Sequence, residues 1–570
     1  MKHRNRARIV VGLLTALAIA GAARPARACG GFFCSTVPVD QSGEQIVFSL
    51  QPGHVTAYIQ ISYSGSAQDF AWVVPVLAKP DISLGSLTTF QAVGARTQPT
   101  FRLDVQTDGG GYCGYAVPET ATGGNRSADA GAPGVTVVDA QDVGPYSTVT
   151  LSSHNSQELL QWLDDNGFQQ PAEALPLIDH YVQLNMFFVA LRLKQDATAG
   201  DIQPIVLDMA TSDPCVPLIL TRIAAQPNMP VQVYTLGSAR AFPQNWFHVQ
   251  VNPARINWLQ FGSNYRQVVT DAIDQAAGHG FVTEFAGSSA LMAQVIYKPG
   301  QYDTSKLAGI TDPAVLVQTL LTDGYPRDGT MKALLRKWIP MPQSVMDRGV
   351  TEQQFYNNVS AYQADLQAAG FVLNTAGFIA DLQERVIMPL QQAQAMFDAQ
   401  PYLTRLLSTV SPDEMTRDPI FTMNGELPDV SNQHVAHGFG TCQADGTIAN
   451  LRIQLEDGQV LTFDSPVRLY GGPIWPYAGA GSPASRIELV GPTGQPVPVA
   501  AAQAASLDHA LDTLPPNIVR AMAAAAAPPQ ASSSGCGCHI DAQRAPGLLL
   551  AGLGAALVGA VALGRRRHRR

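Results

Sequence analysis

Val55-Thr56-Ala57-Tyr58-Ile59-Gln60-Ile61-Ser62-Tyr63 is the stretch that decides the fold class. Val55, Ala57, Ile59, Ile61 and Tyr63 alternate with Thr56, Tyr58, Gln60 and Ser62. A period of two puts one set on each face of a strand and predicts a half-buried β-strand. Phe70–Leu77 (FAWVVPVL) predicts a neighbouring strand, placed at a sheet edge because Pro75 has no N–H to donate. Further strands are predicted at Phe101–Val105, Val135–Val138, Thr148–Leu151, Phe187–Leu193, Ile205–Leu207, Val216–Ile223 and Val231–Tyr234. Residues 106–134, rich in Gly, Ala, Ser and Asp, predict a loose loop.

Helical periodicity breaks in at two places. Asn155 predicts an N-cap, with Glu158 three residues on, Leu159, Leu160 and Leu163 on one face, and Gly167 as the stop. Beyond residue 260 it dominates. Tyr265, Val268, Val269, Ala272, Ile273 and Ala276 share a face, and Gly278 follows. Met331–Ile339 predicts a helix stopped by Pro340. Phe355, Val359, Tyr362 and Leu366 form another stripe, and Phe378, Leu382 and Val386 a third, which runs to Pro389. Strands return at Asn450–Leu455, Val460–Phe463 and Ile487–Val490.

The expected fold is therefore α+β. A signal peptide occupies residues 1–28. A β-rich α+β domain covers 29–260, a helical region packed on it covers 261–425, and a small β-containing region covers 426–500. An Ala/Pro/Ser-rich stalk with a helix or two follows at 501–545, then a transmembrane helix at 546–564 and a basic cytoplasmic end at 565–570.

Composition is consistent with this plan. Hydrophobic residues make up 46% of the 570, enough for sizeable cores, and the 50 Gly and 40 Pro point to many turns. Charged residues are only 14%, against about 25% in ordinary soluble domains. The net charge of −9 hides an asymmetry: six basic residues and no acid fall in the first 28 positions, and five arginines in the last six. The body between is more acidic than the whole, which argues against a nucleic-acid partner.

The two ends predict topology. Lys2, Arg4, Arg6 and Arg8 precede an apolar run from Ile9 to Ala22, and Ala26-Arg27-Ala28 supplies small residues two apart before Cys29. That is the layout of an export signal. Lipidation of Cys29 is the alternative, although Ala26 and Arg27 do not make a lipobox. At the other end, Pro546–Gly564 is an uncharged apolar run, near the roughly 18–20 residues that span a bilayer as a helix. Arg565–Arg570 would stay cytoplasmic and leave the body outside. The expected location is the cell envelope, at the cell surface or outer membrane, with an extracytoplasmic body held by its C-terminal end.

Gly535-Cys536-Gly537-Cys538, the apolar run and the terminal arginines together resemble the MYXO-CTERM sorting signal of myxobacteria. The resemblance implies processing by an envelope sorting protease, with Cys536 or Cys538 as the processed or attached position. Cys29-Gly-Gly-Phe-Phe-Cys34 followed by PVDQSGEQIVF resembles DUF2330, a family of uncharacterised bacterial proteins. FAWVVPV, the block from Asn166 to Lys194, AAGHGFVTEFAG (Ala276–Gly287) and YLTRLLSTVSPDEMTRDPIF (Tyr402–Phe421) look like further segments of it, over about residues 29–425. The resemblance implies no activity, substrate or cofactor.

Seven cysteines are present: Cys29, Cys34, Cys113, Cys215, Cys442, Cys536 and Cys538. In an exported chain disulfides are allowed, and Cys29 with Cys34 is the favoured pair, a clip closed over two glycines. With Cys29 lipidated, the other four body cysteines would form an even set with three possible connectivities. Four residues between Cys29 and Cys34 do not suit a redox motif, which uses two.

No Gly-x-Ser-x-Gly elbow, phosphate loop or His-Glu-x-x-His is present. His434 and His437 are three apart, but Asn432, Gly438 and Gly440 predict an ordinary polar loop, so no metal or cofactor is expected. Ser411-Pro412-Asp413-Glu414 predicts a helix start with acids at its positive end, and Asp418-Pro419 a break. Paired carboxylates there, with Glu284 alone among apolar residues, are the candidates for an acidic site. Trp72, Trp162, Trp246, Trp258, Trp338 and Trp475 are assigned to cores, an exposed sugar-stacking group being the alternative. The leading expectation is a non-enzymatic surface protein with a structural, adhesive or binding task. The alternative is an extracytoplasmic hydrolase using Glu284, Asp413, Glu414 and Asp418.

Overall fold

In the computed structural model, which describes residues 40–64, 70–108, 136–168, 170–171, 173–194, 202–469 and 480–512, Val55–Tyr63 lies inside the strand His54–Ser64. That strand returns from Asp40–Gln51 in a hairpin. Along Asp40–Gln51, Ile46 and Phe48 join one buried cluster while Val47 joins another. Both faces of this sheet are therefore covered, and the half-buried reading of His54–Ser64 is corrected to fully buried along its centre.

The sheet has ten strands. Their spatial order is Val497–Val499, Ala484–Leu489, Phe247–Val251, Gly280–Ser288, Tyr402–Val410, Met229–Gly237, Asp40–Gln51, His54–Ser64, Ile205–Met209 and Pro80–Leu84. It draws strands from all three predicted body regions, 29–260, 261–425 and 426–500. The described residues fall within a single compact unit.

One face carries the helical layer. Leu316, Leu334, Phe355, Phe378 and Leu390 pack there with Val47, Tyr234 and Leu403 from the sheet. The other face carries a four-stranded antiparallel sheet in the order Ala71–Val76, Phe187–Leu193, Tyr146–Ser152 and Thr136–Val143. Trp72, Val74, Val189 and Leu191 point inward to the ten-stranded sheet. The alternate residues Ala71, Val73, Phe188 and Ala190 point outward, under the helices Ser156–Asp165 and Ala174–Gln183. The order is helices, sheet, sheet, helices, a mixed α+β architecture.

Ala71–Val76 is an edge strand, as Pro75 requires, but it belongs to this second sheet rather than lying beside His54–Ser64. Asn155 caps Ser156–Asp165 by accepting from the amides of Gln157 and Glu158. Val216–Ile223 is not a strand: Leu218–Thr221 is a helical turn. A short apolar run has no period to separate strand from helix, and Asp418 Oδ1 accepts the Ile219 N–H at 2.9 Å, holding the turn. Pro389 does not end the third helical stripe either. Thr375–Leu382 passes through a π-turn at Gln383–Ile387 into Met388–Ala399; the wider turn makes room for a residue lacking an N–H.

A second four-stranded sheet, in the order Val460–Thr462, Ile448–Gln454, Gln433–Cys442 and Thr100–Asp108, packs with Trp258, Leu259 and Val268. The loop expected around His434 and His437 is the third of these strands. Parallel pairing with Thr100–Asp108 extends it, and an odd offset on a strand sends the two histidines to opposite faces.

Residues 1–39, 513–570 and 109–135, to which the expected export signal, Cys29, Cys34, Cys113, most of the expected stalk, Cys536, Cys538 and the apolar run belong, lie outside the described residues. The helix Ala501–Asp512 opens the stalk region. Among the described residues no helix is long and apolar enough to cross a membrane.

Candidate functional site

Between the ten-stranded sheet and the second four-stranded sheet lies a cavity of about 510 Å³. Its walls come from segments far apart in sequence. Phe101 comes from Thr100–Asp108, His434 from Gln433–Cys442, and Trp258 and Tyr265 from the turn and helix after Phe247–Val251. They make one aromatic wall: Phe101 stacks on His434 at 4.9 Å and meets Tyr265 at 5.1 Å and Trp258 at 5.6 Å. Gly262 makes this possible. Its φ is +72°, and a Cβ there would lie 2.3 Å from the Phe101 ring, so no other residue fits without moving the wall.

The opposite wall is polar. His248 and Glu488 face each other across paired antiparallel strands. His248 Nδ1 is 2.9 Å from Glu488 Oε2, and His248 Nε2 is 3.1 Å from Thr283 Oγ1. Arg240 Nη2 donates to Thr283 Oγ1 at 3.1 Å and lies 3.2 Å from His248 Nε2, while Nη1 donates to the Pro428 carbonyl at 2.9 Å. Burial, with Arg240 beside it, lowers the His248 pKa, so the imidazole is neutral at pH 7. Burial opposes ionisation of Glu488, but the His248 bond and the Arg486 charge outweigh it and hold its pKa below the usual carboxylate value.

Glu284 sits at the floor. The ladder between Gly280–Ser288 and Tyr402–Val410 shifts register between Thr283 and Phe285, so Glu284 is the extra residue of a β-bulge, a device that re-aims a side chain. Its carboxylate is 1% exposed and accepts from Arg405 Nε at 2.6 Å. Arg405 also donates to Gln232 at 3.0 Å and stands over the Tyr234 ring. Burial, followed by the Glu284 charge, pushes the Tyr265 phenol well above its usual pKa. Asp429, Glu456 and Asp457 complete the lining. Arg240 is the one Lys or Arg among the lining residues, against these three acids and Glu284. The field inside disfavours anionic ligands.

The other predicted acids lie elsewhere. Asp413, Glu414 and Asp418 follow the strand Tyr402–Val410, and none lines this cavity. The helix expected at Ser411–Glu414 is a turn, closed by Glu414 Oε2 accepting the Ser411 N–H at 2.7 Å. Asp418 accepts from Tyr181 and Ile219, and burial raises its pKa to about 7. Among the described residues no group of three or more His, Cys, Asp or Glu is placed to hold a metal. Trp72, Trp162, Trp246 and Trp258 are buried and Trp338 packs partly against the helical core; Trp475 lies outside the described residues. Cys215 is a free thiol. Cys442 is disulfide-bonded.

Residues 23–295 match the model of the DUF2330 family, described as an uncharacterized protein conserved in bacteria. The match takes in Phe101, Arg240, His248, Thr283 and Glu284 and stops short of Arg405 and Glu488. The Tyr402–Phe421 segment lies beyond the matched residues. No curated protein and no solved structure matches the chain.

Proposed function

We propose that this is an exported cell-envelope protein whose inter-sheet cavity binds a neutral, hydroxyl-rich ligand of the carbohydrate class. The lining of the cavity carries the reading. A stacked aromatic wall suits the C–H face of a sugar ring, and carboxylates accept from hydroxyl groups. The acidic excess disfavours phosphates and nucleotides. A volume of about 510 Å³ falls within the roughly 300–1,000 Å³ of small-molecule sites.

Export and surface sorting rest on the two chain ends. Mass spectrometry of the protein recovered from fractionated cells should find a mature N-terminus at Cys29 and a cleaved or modified Cys536–Cys538 segment. An intact chain in the cytoplasm would refute export. The partners in this reading are the membrane, through the C-terminal helix, and an envelope sorting protease, with no nucleic acid.

Ligand binding is tested separately. Titration of the purified protein with glucose, N-acetylglucosamine and mannose oligomers should change tryptophan fluorescence saturably, because Trp258 stands in the wall. Phe101→Ala should weaken that response by about tenfold or more, in line with the loss of one stacking face. A flat response to all three sugar series in the folded protein would remove the carbohydrate assignment.

A further inference from the structure

We infer that Thr283, His248 and Glu488 form a nucleophile, base and orienting acid that cleave an acyl ester presented in this cavity, so that the ligand class becomes an O-acylated carbohydrate. The inference rests on the cavity being a ligand site. It is carried by the alignment Thr283 Oγ1, His248 Nε2, His248 Nδ1, Glu488 Oε2, with separations of 3.1 and 2.9 Å across the imidazole. A nucleophile within hydrogen-bond reach of a base that a third group orients is the geometry of such relays.

A buried polar network with no chemical task would satisfy its members by the same kind of bonds, and His279 provides that comparison within the same chain. Its Nδ1 lies 2.9 Å from Asp508 Oδ2 and its Nε2 lies 2.8 Å from the Glu414 carbonyl, with Thr416 Oγ1 at 3.1 Å. A carbonyl only accepts, so Nε2 of His279 carries a hydrogen and cannot take one from Thr416. At His248 the neighbours of Nε2 are Arg240 Nη2 and the Thr283 hydroxyl, both able to donate. The hydrogen therefore sits on Nδ1, toward Glu488, and the Nε2 lone pair faces Thr283. All four groups of the His248 network but Glu488 line the cavity.

Arg240 is the second observation. It is 7% exposed, and its Nε has no hydrogen-bond partner among the described residues. A buried donor left unpaired costs about 1–3 kcal/mol, and the residue that carries it lines the cavity. In the reaction, Thr283 Oγ1 attacks the acyl carbon and its proton passes to His248 Nε2. The carbonyl pair moves to oxygen, where Arg240 stabilises the charge. Collapse breaks the ester C–O bond, and the leaving alcohol takes the proton from His248. Water then attacks the acyl-threonine through the same base, releasing the carboxylic acid and restoring the Thr283 hydroxyl. Glu488 touches no substrate atom and is a positioning residue.

A fluorophosphonate probe applied to the purified full chain, followed by peptide mass spectrometry, reads the nucleophile directly. The expected result is an adduct on Thr283, formed at least about 100-fold more slowly in His248→Asn, retained in Thr283→Ser and absent in Thr283→Val. Hydrolysis of p-nitrophenyl acetate should follow the same order. No adduct at Thr283 in wild-type and Thr283→Ser proteins would overturn the relay, and so would labelling that Thr283→Val leaves unchanged. Saccharide titration of the same samples separates the two failures: sugar binding without an adduct leaves the binding site standing and removes only the chemistry.

Discussion

Arg405→Met should lower the stability of the protein by about 3–5 kcal/mol, the cost of leaving one member of a buried ion pair unpaired. The Glu284 carboxylate is 1% exposed and has Arg405 Nε at 2.6 Å. Burial works against the Arg405 charge, but Glu284 and its neighbours more than offset it, and the Arg405 pKa is raised. The same guanidinium ties Gln232 on the neighbouring strand and reaches the Gly94 carbonyl and Thr97 on the helix Leu87–Thr97. One substitution therefore loosens the bulge, the sheet and the helix above it. Urea unfolding followed by circular dichroism measures the loss. Adding Glu284→Gln to Arg405→Met should recover part of it, because the orphaned charge is then gone. A double variant no more stable than Arg405→Met alone would show that the pair is not the source of the effect.

Glu284 also marks how far the sequence can be read. A lone acid among apolar residues is visible in FVTEFAG, and a buried carboxylate at the cavity floor is what the structure places there. Its partner Arg405 lies 121 residues away, and nothing local announces it. His248 and Glu488 are 240 residues apart; they meet because Phe247–Val251 and Ala484–Leu489 pair as strands, a long-range event with no periodic trace. Alternation did reveal His54–Ser64, and Ile448–Gln454 alternates in the same way, while Phe187–Leu193 is legible only as a short apolar run. It failed for Gly280–Ser288 and Tyr402–Val410, the strands inside the predicted helical region. Both strands bury polar side chains, among them Thr283, Glu284, Thr404 and Ser408, beside apolar ones, so neither an alternation nor an apolar run marks them. Thr283 was invisible for a different reason: a hydroxyl has chemical meaning only beside the imidazole that faces it.

Glu44→Gln should stabilise the protein at alkaline pH and leave it almost unchanged near pH 4.5. Glu44 is 4% exposed on the strand Asp40–Gln51, with Gln41 Nε2 donating at 3.3 Å. Burial raises its pKa from 4.5 to about 7, and the Asp418 charge adds to the rise while the Gln41 bond opposes it. A carboxyl with a raised pKa holds its proton more tightly folded than unfolded. Its contribution to stability is therefore fully present below the unfolded pKa of 4.5 and is lost as pH rises through about 7. At 1.36 kcal/mol per unit, the loss by pH 8.5 is about 3 kcal/mol. A neutral amide has no proton to lose, so Glu44→Gln removes that decline. Asp418, also raised to about 7 by burial, acts in the same direction and would titrate more easily once Glu44 no longer carries charge. The Asp418 charge acts on Glu44, so the gain includes both groups. Urea midpoints of variant and wild type at pH 4.5 and pH 8.5 give the answer. The difference between them should be small at the lower pH and large at the higher one. An equal gain at both would mean that the substitution acts through packing beside Cys215, in the small cavity of about 30 Å³ that Glu44 borders, and not through the proton.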